Sequence, residues 1–226
     1  MYQPLILSTQ YDKTMQKIMF NEPYGLQQAV IDGRKPITRR EPYFGEISKP
    51  NSGFYVEGKD KGRLALCDGE MVVKNSRYRV GEVVAVAQSY KDVHDYYVSI
   101  DSEVGIFETL QFVGTSGWTN KMFVKADLMP HLIRITDIKV ERLQDISNED
   151  CLKEGVYKDE DGGRIIGNPF GIPFYYTFFG AKNKEGKQLH WTTPREAFAA
   201  LIDKVSGKGT WEKNPWVFSY SFELVK

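Results

Sequence analysis

Leu132-Ile133-Arg134-Ile135-Thr136-Asp137-Ile138-Lys139-Val140-Glu141-Arg142-Leu143 decides how the rest of the chain is read. Its alternation is imperfect, but the stretch is rich in isoleucine and valine, which predicts a long strand. Ser147-Asn148-Glu149-Asp150 follows. A serine with an acid three residues later caps a helix start, so a helix is expected to run to about Gly155. Further on, Thr193-Pro194-Arg195-Glu196 combines a threonine cap, proline at the first helical position and glutamate at the third, ahead of Phe198, Leu201, Ile202 and Val205. Phe218, Tyr220, Phe222 and Leu224 then alternate with Val217, Ser219, Ser221 and Glu223, the pattern of a half-buried strand. On the N-terminal side, Val83 to Ala87 is an apolar run after Gly81-Glu82, which predicts a central strand buried on both faces. Leu26, Ala29 and Val30 recur at helical spacing behind Asn21-Glu22-Pro23 and stop at Gly33. Helix, strands, helix, helix, strand is not the regular alternation of a doubly wound sheet. The expected class is α+β, built on a small, mostly antiparallel β-barrel flanked by helices, with inserted hairpins or loops.

The chain has 226 residues, 41% hydrophobic and 13% aromatic, enough for a sizeable core in one domain spanning 1–226. Lys+Arg and Asp+Glu both number 30, so no whole-molecule field draws the protein to nucleic acid or anionic lipid. Polyanion contact must come from a local cluster, and Arg34-Lys35-Pro36-Ile37-Thr38-Arg39-Arg40 is the obvious one. Pro36 forbids simple continuation of the preceding helix, so these cations are expected on a turn or loop, where alanine in place of Lys35 would leave folding intact. Met1 to Phe20 lacks a basic stretch followed by an apolar one, so no export signal is expected. The uncharged run Ile165 to Ala181 is broken by Asn168, Pro169 and Pro173 and does not read as a membrane helix. Two cysteines, Cys67 and Cys151, make no disulfide framework, which fits a reducing cytoplasm. His94, His131 and His190 are dispersed, and Gly162-Gly163 behind Asp159-Glu160-Asp161 reads as an acidic turn. Neither a metal, a cofactor nor a nucleoside triphosphate is therefore expected.

Four stretches carry a family resemblance. Ile31-Asp32-Gly33-Arg34-Lys35-Pro36-Ile37-Thr38-Arg39-Arg40, Tyr78-Arg79-Val80-Gly81-Glu82-Val83, Ile135 to Ile146, and Trp211-Glu212-Lys213-Asn214-Pro215-Trp216-Val217 resemble the successive signatures of the ASCH domain family, in the order and with the ending of its phage-associated branch. The resemblance implies a PUA-like barrel flanked by helices, with a cleft that takes RNA, a nucleotide or a modified nucleoside. Gly33, Lys35 and Arg40 match the family's Gly-x-Lys-x-x-Glu-x-Arg run, and Thr38 stands where glutamate is usual. Ala87-Gln88-Ser89-Tyr90 stands where that branch usually has Arg-Glu-Thr-Trp, which brings Gln88 and Tyr90 to the implied cleft. Residues near 44–76, 91–118 and 156–190 are read as insertions. One ASCH branch contains small amidohydrolases that deacylate acetylcytidine with a lysine, a threonine three residues later and a glutamate after the long central strand. Lys35, Thr38 and Glu154 match that set.

Two functions are therefore carried forward. In the first, Arg34, Lys35, Arg39 and Arg40 hold phosphate while a ring such as Tyr43, Tyr90 or Trp118 stacks a base. In the second, Lys35 and Thr38 act as nucleophile and activator, in either order, and Glu154 shuttles the proton. The bland alternative leaves Lys35 and Arg40 as solvated cations, Thr38 as a turn cap and Glu154 on the surface. Trp211 and Trp216, and the aromatic run Phe170, Phe174, Tyr175, Tyr176, Phe178 and Phe179, are expected to belong to the core.

Overall fold

The computed structural model describes residues 15–41, 47–48, 54–56, 64–65, 76–159 and 175–225. In chain order its elements are β1 (Lys17–Ile18), α1 (Leu26–Ile31), β2 (Ile37–Arg40), β3 (Ile47–Ser48), β4 (Phe54–Val56), β5 (Leu64–Ala65), β6 (Val83–Val86), α2 (Tyr90–Ser99), α3 (Glu103–Leu110), β7 (Leu132–Arg142), α4 (Asn148–Lys153), β8 (Val156–Asp159), β9 (Tyr175–Phe178), α5 (Pro194–Val205), α6 (Thr210–Lys213) and β10 (Trp216–Leu224). The chain, read from its sequence as one domain, divides into two compact units: Met1–Met19 with Val83–Pro130, and Phe20–Glu82 with His131–Lys226.

In the first unit β1 runs parallel to β6, with Lys17 opposite Ala85 and Ile18 opposite Val86. Val84, Ala85, Val86 and Ala87 are all fully buried, as their unbroken apolar run predicts. The Lys17 ammonium donates to the carbonyls of Met122 and Val124, both at 2.8 Å, which ties the end of this unit back to its first strand. Residues 91–118, expected as an insertion, hold most of α2 and all of α3. α2 starts at a capping box: the Ser89 hydroxyl accepts from the Asp92 amide at 3.1 Å, and the Asp92 carboxylate accepts from the Ser89 amide at 3.0 Å. Gly105 lets α3 approach α2, since a Cβ there would stand 2.4 Å from the Tyr97 ring.

In the second unit β10 pairs antiparallel with β7, from Trp216 opposite Arg142 to Leu224 opposite Ile133, with a shift of register between Ser221 and Phe222. On its other side β10 pairs antiparallel with β2, placing Tyr220 opposite Thr38 and Ser219 opposite Arg39. β10 is thus flanked on both sides, and Val217, Phe218, Ser219 and Tyr220 are all buried, where alternation predicts a half-buried strand. Helix α5 has the capping box and N-terminal proline read from the sequence, with Thr193 and Glu196 as its two members. It buries Ala197, Phe198, Leu201 and Ile202. Within 44–76 the backbones of β3, β4 and β5 pair antiparallel, and within 156–190 β8 pairs antiparallel with β9.

The fold is mixed α/β. The expected barrel is not closed among the described residues: the first unit holds a parallel ribbon, and the ladder of the second ends at β2, which pairs with β10 alone. Closure requires a strand number, tilt and stagger that return the last strand to the first, and a short end strand such as β2 does not supply them. Among the described residues no helix is long and apolar enough to cross a membrane.

The turn after α5 shows how a single acid can hold a connection. The Asp203 carboxylate accepts from the Gly209 and Trp211 amides, both at 3.0 Å, and these bonds hold its pKa below the ordinary aspartate value of 3.8. A depressed carboxyl contributes stability above its unfolded pKa and loses it as the pH falls through the folded one. Asp203→Asn should therefore weaken the acid-induced loss of stability below pH 3.8, measured as the slope of urea midpoints against pH. An unchanged slope would contradict the assignment.

Candidate functional site

Two local stops bring the key side chains together. Helix α1 ends at Gly33, whose φ of 72° suits glycine, and the Lys35 amide then donates back to the Ala29 carbonyl at 2.9 Å. This fixes Lys35 at the entry to β2. Helix α4, capped by the Ser147 hydroxyl at 3.0 Å from the Asp150 amide, ends with Glu154 as its last half-turn residue. Gly155 follows at φ 108°, where a Cβ would meet Leu26 Cδ2 at 2.5 Å, so the chain leaves the helix against α1. Glu154 is thereby delivered to Lys35.

The Lys35 ammonium donates to the Glu154 carboxylate Oε2 and, at 2.9 Å, to the Glu154 carbonyl. Their side chains are only 2% and 4% exposed. Two residues on from Ile37, Arg39 joins the same carboxylate: its guanidinium reaches Glu154 Oε1 at 3.2 Å, Asp150 Oδ2 at 3.3 Å and, through Nε, Glu141 Oε1 at 2.7 Å. Burial lowers the Lys35 pKa below the ordinary lysine value, while the Glu154 carboxylate pulls it the other way. Burial also works against the charged form of Arg39, but Glu154 and Glu141 outweigh it and raise its pKa. Arg40 lies over the Phe20 ring at 5.3 Å, and burial lowers its pKa.

Lys35, Thr38, Arg39, Arg40 and Glu154 line one pocket of about 230 Å³. Its apolar wall comes from Phe198, Leu201, Ile202 and Val205 of α5, with Phe20 and Leu26 alongside. A buried amine in contact with a carboxylate, with a hydroxyl lining the same cavity, is a set of groups that can exchange a proton. The structure thus gathers Lys35, Thr38 and Glu154 in the second unit. Ile37–Arg40 is a strand, not the loop expected, and Lys35 and Arg39 are buried and paired instead of presenting solvated charge. Ile37, Thr38 and Arg39 are all buried in this strand, a pattern that the two arginines at its end and the two cations just before it conceal in the sequence.

The other expected ligand contacts lie elsewhere. Arg34 is exposed, does not line the pocket and pairs with Asp32 at 2.7 Å. Gln88 and Tyr90 belong to the first unit and are buried there. The Gln88 amide donates to Met129 Sδ at 3.3 Å, while the Tyr90 hydroxyl accepts from the Lys125 amide at 2.9 Å and its ring stacks on Phe112 with centroids 4.0 Å apart. Trp118 is half-buried beside His94. Tyr43, Cys67, Gly162, Gly163, Phe170 and Phe174 lie outside the described residues. Phe178 is core, as expected, but Phe179 is 62% exposed. Trp211 and Trp216 are half-buried, each under an arginine: Arg195 at 5.3 Å and Arg142 at 4.5 Å. His94 meets Thr109 at 2.8 Å and His190 meets Asp159 at 2.7 Å. Among the described residues no three His, Cys, Asp or Glu side chains form a metal-ligating group.

Sequence reading missed Glu141 and Asp150, the acids that offset Arg39, and the α5 wall. Asp150 was legible only as the acid three residues after Ser147 at a helix start, not as a partner of Arg39. Cys151, next to it in α4, is fully buried, and burial pushes its thiol up to about 12. Alkylation of Cys151 by iodoacetamide should therefore be negligible in the folded protein and complete in denaturant, as read by mass spectrometry of the modified peptide. Labelling under native conditions would contradict its burial.

Comparison with protein-family models, with curated proteins and with solved structures finds no match to this chain.

Proposed function

We propose that the second unit is a binding module of the ASCH, PUA-like kind, whose pocket takes a nucleoside-sized ligand in the cytoplasm. The observation that carries this reading is the convergence of Lys35, Thr38, Arg39, Arg40 and Glu154 on one cavity with an apolar wall. A few convergent polar groups set in an apolar lining are what a small-molecule site requires. Its volume of about 230 Å³ lies below the roughly 300–1,000 Å³ of pockets that enclose drug-sized ligands, so it favours a base or nucleoside over a longer strand. Charge argues the same way. Lys35 and Arg39 are already offset by Glu154, Glu141 and Asp150, leaving little net field for a chain of phosphates.

Calorimetric titration with cytidine, acetylcytidine and short single-stranded RNA and DNA at several salt concentrations tests this. Saturable nucleoside binding with little salt dependence is expected. A steep negative salt slope with RNA would move the reading to phosphate contacts and a nucleotide or RNA ligand. No binding by any of the four at low salt would remove it.

A second reading is favoured by one contact: the Lys35 ammonium on the Glu154 carboxylate, in the pocket that Thr38 lines. On this reading the site hydrolyses the acyl amide of a modified nucleoside. Water adds across the amide C–N bond, the acyl carbon leaves as a carboxylic acid, and the nitrogen leaves as the free amino group of the nucleoside. Glu154 takes the proton from the Lys35 ammonium, and the Lys35 amine or the Thr38 hydroxyl it activates attacks the carbonyl. Incubation with acetylcytidine should release cytidine, followed by chromatography. Thr38→Val should lower that rate at least about 100-fold, the usual worth of a positioned catalytic group, with the thermal melt retained. An unaltered rate in this variant would eliminate the hydrolytic reading and leave the binding one standing.

A further inference from the structure

We propose that the outward face of the α2–α3 hairpin in the first unit docks a cationic amphipathic helix of a partner protein. The face is apolar where a free surface is usually polar. Phe107 is 80% exposed and Val104 71%, and Leu110 and Val113 are half exposed or nearly so. Val104, Phe107 and Leu110 follow at intervals of three, so they are neighbours on one side of α3, with Phe107 in the middle. The opposite side of α3 is already used, since Gly105 and Thr109 are buried and Gly105 meets the Tyr97 ring of α2. Val98 and Ile100, each just over half exposed, extend the apolar surface into the turn that joins the helices. Apolar side chains exposed singly need no explanation, but a contiguous stripe of this kind marks an interaction surface.

Charge identifies the occupant. Residues 90–113 carry Asp92, Asp95, Asp101, Glu103 and Glu108 against Lys91 alone. Lys91 is spent on Asp95, at 2.8 Å, and Asp92 is engaged in the Ser89 capping box. Asp101, Glu103 and Glu108 make no ion pair among the described residues, and Glu103 and Glu108 belong to the helix that carries the stripe. An apolar stripe with an acidic rim is complementary to a helix that shows leucine-like anchors on one side and lysine or arginine beside them. A second copy of this chain fits poorly, because a self-contact through the stripe would set these acids against one another.

The test uses the full chain and a defined probe, a synthetic amphipathic helix with leucine at the anchor positions and lysine elsewhere. The same peptide with glutamate for lysine is the control, and affinity is read by fluorescence anisotropy. Saturable binding of the lysine peptide, at least tenfold tighter than the glutamate peptide and weakened between low and high salt, is expected. Phe107→Ser should weaken it about tenfold, as loss of a central anchor does, and Glu103→Gln with Glu108→Gln should flatten its salt dependence. Phe107 is too exposed to carry the fold, and circular dichroism of the variant verifies this. Equal binding of both peptides, or binding indifferent to Phe107→Ser, overturns the proposal. A dimer in sedimentation that Phe107→Ser dissolves also overturns it, since the face would then belong to a second copy.

Discussion

Lys35→Ala should lower the unfolding free energy by about 3–5 kcal/mol, the cost of breaking a buried ion pair from one side. The reason is what remains. Glu154 would keep a buried carboxylate with Arg39 alone, and the place of the ammonium would hold no donor for the Glu154 carbonyl. Glu154→Ala should be the more damaging of the two, because it leaves the buried Lys35 ammonium without its carboxylate, whereas Lys35→Ala leaves an acid that retains Arg39; Arg39 itself keeps Glu141 and Asp150 in either variant. Lys35→Met with Glu154→Gln should cost less than the two single losses added together, since the members of one network do not contribute independently. Urea unfolding followed by circular dichroism measures all of these. A Lys35→Ala variant within about 1 kcal/mol of the parent would mean the pair is not buried as described. The same burial changes how function can be tested. A loop lysine tolerates alanine, but this one does not, so loss of activity in Lys35→Ala would report on folding as much as on chemistry, and Thr38→Val is the cleaner probe.

The parts of this fold that were legible are those whose signal is local. Helix α5 was readable because Thr193, Pro194 and Glu196 satisfy the first-turn amides without help from the rest of the chain. The Val83 run and the long β7 strand were readable from composition and period. The site was legible in a different sense. Lys35, Thr38 and Glu154 were singled out by resemblance, but nothing in the spacing of residues 35 and 154 states that they touch. That contact depends on two chain stops, Gly33 and Gly155, working at a separation of more than a hundred residues. Arg39 was misread for a physical reason as well: four cations in seven residues look like a solvated loop until Glu141, Asp150 and Glu154 are known to surround one of them. The α2–α3 hairpin was not legible despite its Ser89 and Asp92 capping pair, because α2 buries only Tyr90 and Val93 and α3 only Gly105 and Thr109, which leaves no apolar stripe at helical spacing on the buried side.

Phe198→Ala should cost about 3–5 kcal/mol, the usual loss for truncating a buried phenylalanine, and should also change what the pocket accepts. Phe198 is fully buried, stands edge-on to Trp211 with ring centroids 6.0 Å apart, and forms part of the α5 wall of the cavity. Removing its ring takes away packing on the Trp211 side and enlarges the cavity on the side that faces Lys35 and Glu154. The polar groups stay in place, since Glu154 is held by α4 and Lys35 by the end of α1. If the pocket takes a nucleoside as proposed, one carrying a longer acyl group should gain affinity relative to acetylcytidine in the variant, while cytidine itself, with less wall to contact, should bind more weakly than to the parent protein. Urea unfolding gives the stability loss, and competition titration among cytidine, acetylcytidine and butyrylcytidine gives the preference. A stability loss with no shift in preference would place the ring in the core alone, and would mean that the ligand does not reach the α5 wall.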